Sequence, residues 1–274
     1  PGPWPPAGDD RFDRVNGIPE LAAPDLDDDV LAAAIRSRGS LLVRGLLDHR
    51  RAAELRVTID RALEARARPD KASPPRYVPF EADDEYDFGV WERAFADFGA
   101  GVLGVDAPRA MFHLIDGLKA AGVDRVLADY FGELPTISVK KTTLRRTAPD
   151  SEAGWHQDGA FLGTDTRTLN IWTALTPCGE DAPGLVVFST RFDDLVEMGG
   201  PGIYDWSVSD ETAARYGPEN VVRPVFDTGD ALLFDQMTLH RTGVDPSMTR
   251  TRYAIETWFF APSTYPVEQV PICF

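Results

Sequence analysis

The sequence predicts a mainly-β domain with helices packed on its outside, and three observations carry that prediction. Helical periodicity is confined to the first half of the chain, short β-branched and aromatic runs between turn residues fill the second half, and the repeated helix-strand alternation of βαβ units is missing. With 274 residues, 43% hydrophobic and 26% charged, the chain has an ordinary globular composition and enough length to bury a full core. The expectation is one domain over 1–274, with a mostly helical part at 1–134, a β core at 135–261 and a tail at 262–274.

Taken in order, the elements follow from local pattern. In Leu26 to Arg36 the apolar residues Leu26, Val30, Leu31, Ala34 and Ile35 recur at helical spacing behind a run of acids that suits a helix N-terminus, and Gly39 ends it. Ser40 to Arg44 reads as a buried strand. Asp48 to Arg68 reads as a long helix closed by Pro69. The acidic, Pro-rich stretch 69–89 cannot be a regular element and is read as a loop that serves as a lid. Helices follow at Trp91 to Phe98, Pro108 to Ala121 and Asp124 to Phe131. Strands are expected at Ile137 to Thr143, Thr168 to Leu175, Leu185 to Phe188, Val221 to Phe226, Ala231 to Phe234 and Arg252 to Phe260. The first ten residues are set aside from this reading.

Charge excludes whole classes of function. Forty-four acids against 28 bases give a net charge of −16, which is the wrong sign for gripping nucleic-acid phosphates. No apolar run approaches a membrane span and PGPWPPAGDD lacks the features of a signal peptide, so a cytoplasmic protein with a small-molecule substrate is expected, with no membrane partner. Cys178 and Cys273 are too few and too far apart for a disulfide framework or a thiolate metal site.

The chemistry-bearing residues begin with His156 and Asp158 in Trp155-His156-Gln157-Asp158-Gly159, where alternation along an extended segment puts imidazole and carboxylate on one side. A lone His-x-Asp pair arises by chance in so acidic a chain, so a third ligand is required, and His240 supplies it at the end of a second apolar run. Two His and one carboxylate on barrel strands form the facial triad that holds non-haem Fe(II) with open coordination positions, where a structural zinc site would close its fourth position. Arg250, Arg252, Ala254 and Glu256 share a face of the next strand. An Arg there needs an anion, and Arg252 is close enough to fork onto the far carboxylate of a dicarboxylate chelated at the ion. Arg250 is its rival, and a structural ion pair with Glu256 is its plainer role. Across Thr136 to Leu175 five bases (Lys140, Lys141, Arg145, Arg146, Arg167) outnumber four acids, a local basic island that suits an acidic cosubstrate.

The runs WHQDG, LNIWTALTP, GDALLFDQMTLHRTG and RYAIETWFF, in that order and spacing over Ser138 to Ala261, resemble the phytanoyl-CoA dioxygenase family of Fe(II)/2-oxoglutarate-dependent oxygenases. The resemblance implies a double-stranded β-helix, a jelly roll, flanked by N-terminal helices. It implies that His156, Asp158 and His240 are the catalytic iron ligands, that Arg252 holds 2-oxoglutarate with help from the Thr242 hydroxyl, and that Trp172 lines the cosubstrate pocket. The implied reaction is an oxidation by O2, most simply a hydroxylation, with 2-oxoglutarate decarboxylated to succinate. Asp158 argues against the halogenating variant, which has Gly or Ala there. Where the family commonly has Pro-Gly-Ser-His this chain has Phe188-Ser189-Thr190-Arg191, which points away from the family's usual substrates and offers Arg191 as a substrate contact. Phe161, Trp206 and Tyr204 are the other expected contacts at the barrel mouth. Two other classes compete: a cupin-like metal enzyme without 2-oxoglutarate, and a silent small-molecule binder on the same scaffold. The strong negative charge speaks against a coenzyme A ester as substrate.

Overall fold

The structure is a computed structural model that describes residues 3–68, 76–79, 96, 101–151, 153–199, 205–266 and 269–274. The expected lid at 69–89, apart from 76–79, and the expected helix at 91–98, apart from Ala96, lie outside the described residues. Six α-helices are described: α1 (Asp28–Arg38), α2 (His49–Ala67), α3 (Pro108–Ala120), α4 (Val123–Phe131), α5 (Gly159–Leu162) and α6 (Asp210–Ala214). The first two begin where sequence chemistry starts them. The Asp27 carboxylate accepts from the Val30 amide at 2.7 Å, the Asp48 carboxylate accepts from Arg51 at 2.9 Å, and each satisfies an amide the first turn would leave orphaned. Gly39 closes α1 at φ 75°, a conformation that costs an L side chain.

Twelve described strands form two sheets. The larger contains β1 (Glu20–Ala22), β2 (Ser40–Arg44), β3 (Gly101–Leu103), β4 (Thr136–Ser138), β5 (Thr143–Thr147), β6 (Thr168–Ala174), β9 (Ala231–Phe234), β11 (Arg252–Phe260) and β12 (Pro271–Cys273). The smaller runs β10 (His240–Gly243), β7 (Gly184–Phe188), β8 (Val221–Val222). Period-two alternation splits the larger sheet cleanly. Leu41, Val43, Ile171, Leu233, Ile255 and Phe259 pack under Leu31, Ile35, Leu55, Ile59, Leu114 and Leu127 of α1 to α4. Leu42, Trp172, Leu232, Phe234 and Ala254 face the other way, against Leu185 and Val187 of the smaller sheet. Because both faces are buried, these strands read in sequence as nearly unbroken apolar runs. A mainly-β core with flanking helices is therefore observed.

The structure corrects several boundaries. The single strand expected at Ile137 to Thr143 is two strands, split by a turn in which the Thr142 amide and hydroxyl both donate to the Ser138 carbonyl. The strand expected to Phe226 stops at Val222, since Pro224 has no amide to donate, and Phe226 keeps only an isolated bridge to Cys178. The expected tail joins the sheet: β12 pairs with β4, and Phe274 is buried edge-on against Phe259 at 4.7 Å. Neither cysteine is in a disulfide. Among the described residues no helix is long and apolar enough to cross a membrane.

Candidate metal centre

His156 and His240 meet across an isolated antiparallel bridge, each amide donating to the other's carbonyl at 3.0 Å. Directly opposed residues project to the same side, and the ring centroids lie 4.3 Å apart. Asp158 is not on an extended segment. Its backbone enters the right-handed helical region (φ −67°, ψ −18°) as α5 begins, and this turn, rather than strand alternation, brings the carboxylate to the rings. Oδ1 lies 3.9 Å from His156 Nε2 and Oδ2 lies 3.8 Å from His240 Nε2. Among the described residues these three side chains form the one such group, with ligand atoms all within 4.8 Å of one another.

Neighbours fix the protonation of this group. His156 Nδ1 lies 2.9 Å from the Gly154 carbonyl, and His240 Nδ1 lies 2.9 Å from the Thr238 carbonyl. A carbonyl only accepts, so both Nδ1 atoms carry the proton and both Nε2 lone pairs point at the common centre. Burial, followed by the neighbouring His240, pushes the His156 imidazole down to about 4, which leaves it neutral and able to bind a cation at neutral pH. Asp158 Oδ2 is buried with no hydrogen-bond partner, an arrangement that is unfavourable unless a cation occupies the centre. Two neutral nitrogens and one carboxylate fit a divalent transition metal, and three protein donors leave its other positions open.

Gln157, between two of these side chains, braces the third. It is buried, donates from Nε2 to the Met237 carbonyl at 2.7 Å and the Asp194 carbonyl at 3.3 Å, and accepts from the Val196 amide at 2.6 Å. The loop leading to His240 is thereby fastened to the loop carrying His156. Arg191, one of the expected substrate contacts, helps to hold this loop: its guanidinium pairs with the buried Asp235, whose other oxygen accepts from the Met237 amide at 3.0 Å.

Arg252 and Arg250 differ sharply. Arg250 is exposed beside Asp181 at 3.5 Å, whereas Arg252 is buried between the sheets. Arg252 donates to the Thr147 hydroxyl at 2.9 Å and, more weakly, to the Pro183 and Gly184 carbonyls at 3.4 Å, and lies over the Trp172 ring at 5.2 Å. Its Nε has no partner, and among the described residues no carboxylate pairs with it. Glu256, the partner weighed in the sequence, is engaged by Lys141 and Arg145. Burial pulls the Arg252 guanidinium down to about 10, so it stays charged and short of an anion. The hydroxyl beside it is that of Thr147, its register partner on β5. Thr242 sits two residues after His240 on β10, opposite Leu185.

Of the expected substrate contacts, Phe161 and Trp206 come to the centre. Trp206 packs on His156 at 5.3 Å and Phe161 on Trp206 at 5.1 Å. Tyr204 lies outside the described residues. Sequence reasoning missed Lys141, Glu256, Trp258 and Phe234 as site residues, although the R-x-A-x-E-x-W alternation of β11 was there to be read. Lys141 Nζ lies 4.6 Å from the Phe161 ring centroid and 3.5 Å from Glu256; Glu256 also meets Arg145 at 3.2 Å and the Trp258 Nε1 at 3.0 Å.

Comparison with known proteins adds an independent line. The family model described as phytanoyl-CoA dioxygenase matches residues 35–250. No curated protein sequence matches the chain significantly. Among solved structures it is similar to AviO1 from Streptomyces viridochromogenes Tue57, with a TM-score of 0.56 and 19% identity over 88% of this chain and 98% of that one. It is also similar to EctD from S. alaskensis, solved with 2-oxoglutarate and 5-hydroxyectoine (TM-score 0.54, 17% identity, 85% and 75% covered). A third is the non-heme monooxygenase ThoJ (TM-score 0.53, 16% identity, 88% and 82% covered). At these identities the structural likenesses establish the shared fold, the jelly roll.

Proposed function

The chain belongs to the phytanoyl-CoA dioxygenase family, and from that premise we propose that it is a non-haem Fe(II)/2-oxoglutarate-dependent dioxygenase that hydroxylates a small molecule. One observation carries the reading: the orphaned Asp158 oxygen between two correctly protonated imidazoles, in the same interior as a buried guanidinium lacking an anion. Both deficits are met by one cation and one dicarboxylate. His156, Asp158 and His240 would hold Fe(II), which when bound supplies the chemistry that couples O2 to decarboxylation of 2-oxoglutarate.

The remaining roles belong to the protein. Arg252 receives the far carboxylate, Thr147 orients the guanidinium, Thr242 offers a second hydroxyl on the His240 strand, and Trp172 covers the pair. Leu185, Val187 and Phe234 pack into the cluster that also holds Trp172, and the resulting dry surroundings strengthen the guanidinium–carboxylate contact. The test is anaerobic titration of 2-oxoglutarate into the Fe(II)-loaded protein, followed by visible charge-transfer absorption. A saturating band is expected, with affinity lowered about 10- to 100-fold in Arg252→Gln, the usual worth of a charged hydrogen-bonded pair. An unchanged spectrum in the wild type would overturn the 2-oxoglutarate assignment.

A further inference from the structure

The two histidines of the metal centre oppose each other across one backbone rung, so their sequence neighbours Trp155 and Arg241 project to the reverse side. Trp155 accordingly packs with Val186, Phe188 and Leu239, on the face of the small sheet turned away from Leu185 and Val187. There a single carboxylate oxygen joins the two neighbours. Asp210 Oδ1 accepts from Trp155 Nε1 at 2.9 Å and from Arg241 Nη1 at 2.8 Å, and the Arg241 guanidinium lies over the Trp155 ring at 4.5 Å.

Asp210 opens α6, and the segment leading into it runs along the Trp155–His156 backbone. The Val208 amide donates to the Trp155 carbonyl at 2.8 Å, and Trp206 packs on the His156 ring itself at 5.3 Å. Residues 206–210 thus touch a ligand ring at one end. At the other they hold the residue before one ligand and the residue after the other. Ser209 fixes the turn between, its hydroxyl accepting from the Thr212 amide at 3.0 Å. The balance of burial suits a closure that opens and shuts. The Asp210 side chain is 79% exposed and can rotate into water, whereas Trp155 is buried and its N–H is orphaned when the carboxylate leaves.

Resting on the metal-centre reading of His156, Asp158 and His240, we propose that residues 206–210 form a strap across the centre and that Asp210 latches it. Asp210 is then a positioning residue. Through Trp155 and Arg241 it clamps the two histidine-bearing segments from behind, and by holding the strap shut it keeps Trp206 on His156, so that the ion exchanges only when the latch opens.

Two measurements on the full-length protein separate the latch from the ion. Hydrogen exchange of the metal-free protein, read by mass spectrometry over the peptide containing Val208, follows opening of the strap. Release of Co(II) to excess 4-(2-pyridylazo)resorcinol follows the consequence at the centre. In Asp210→Ala both rates should rise about fivefold to tenfold, the worth of one charge-assisted hydrogen bond near the surface. Asp210→Asn, which keeps an acceptor oxygen and loses the charge, should give a smaller rise. Arg241→Gln and Trp155→Phe each remove one donor and should reproduce part of the effect, and neither should add to Asp210→Ala, since the shared partner is already gone. Arg241→Gln, at the surface, carries this cycle if Trp155→Phe fails to fold. Unchanged exchange at Val208 in Asp210→Ala, or fully additive double variants, would overturn the latch. Faster exchange with unaltered Co(II) release would overturn its control of the centre. A wild-type protein that takes up no Co(II) refutes the metal centre and with it that control, while the metal-free exchange still decides the latch.

Discussion

Gln157 shows how much of a metal site lies in residues that never touch the ion. Its amide joins the His156 loop to the loop ahead of His240, so Gln157→Ala releases two ligand-bearing segments from each other. Such supporting contacts typically govern metal affinity by about 10- to 100-fold, and a loss of that size is expected in a competitive chelator titration, with the circular dichroism spectrum unchanged. Unaltered affinity would show that the backbone bridge alone sets the geometry. The three ligand side chains were legible in the sequence because their identities and spacing are the chemistry. Asp158 was legible as a ligand but not in its conformation, since the αR turn that aims it depends on the contacts of α5. For Arg191 the sequence shows only an Arg in a loop, and the fold adds the buried Asp235 that its guanidinium pairs with.

At the level of elements, β11 does most to assemble the site: one face carries Arg252, Ala254, Glu256 and Trp258 inward, and the other buries Ile255 and Phe259 beneath the helices. The long amphipathic helices and the fully buried strands were readable because their patterns are strong and local. The three- to five-residue elements β1, β3, β10, β12, α5 and α6 were not, because so short a segment carries no period and is held by its partners. The connection into β9 depends on Gly229, which sits at φ 94° with the Leu47 carbonyl oxygen 2.0 Å from where a Cβ would be. Gly229→Ala combines left-handed strain with a backbone clash and should lower stability by at least about 2 kcal/mol, measured by urea unfolding. A smaller change would mean that the turn relaxes freely.

For the molecule as a whole, the interior charges tie stability to pH. Burial alone would raise the Glu256 carboxyl, but Lys141, Arg145 and the Trp258 N–H outweigh it and hold it at about 2, below its ordinary 4.5. A depressed carboxyl contributes stability above its unfolded value and loses it as pH falls through the folded one. Glu256→Gln should therefore be less stable than wild type at pH 7, and the gap should narrow between about pH 4.5 and 2 in denaturant titrations; a gap independent of pH would assign the loss to packing instead. The same two-sheet plan has a mechanical side. His240 is carried by the three-stranded sheet and Arg252 by the nine-stranded one, with apolar side chains and a few long hydrogen bonds from Arg252 spanning the seam near them. A diacid gripped at both ends would rivet one leaf of the sandwich to the other, so the holo complex should melt as a tighter unit than the chain with ion alone.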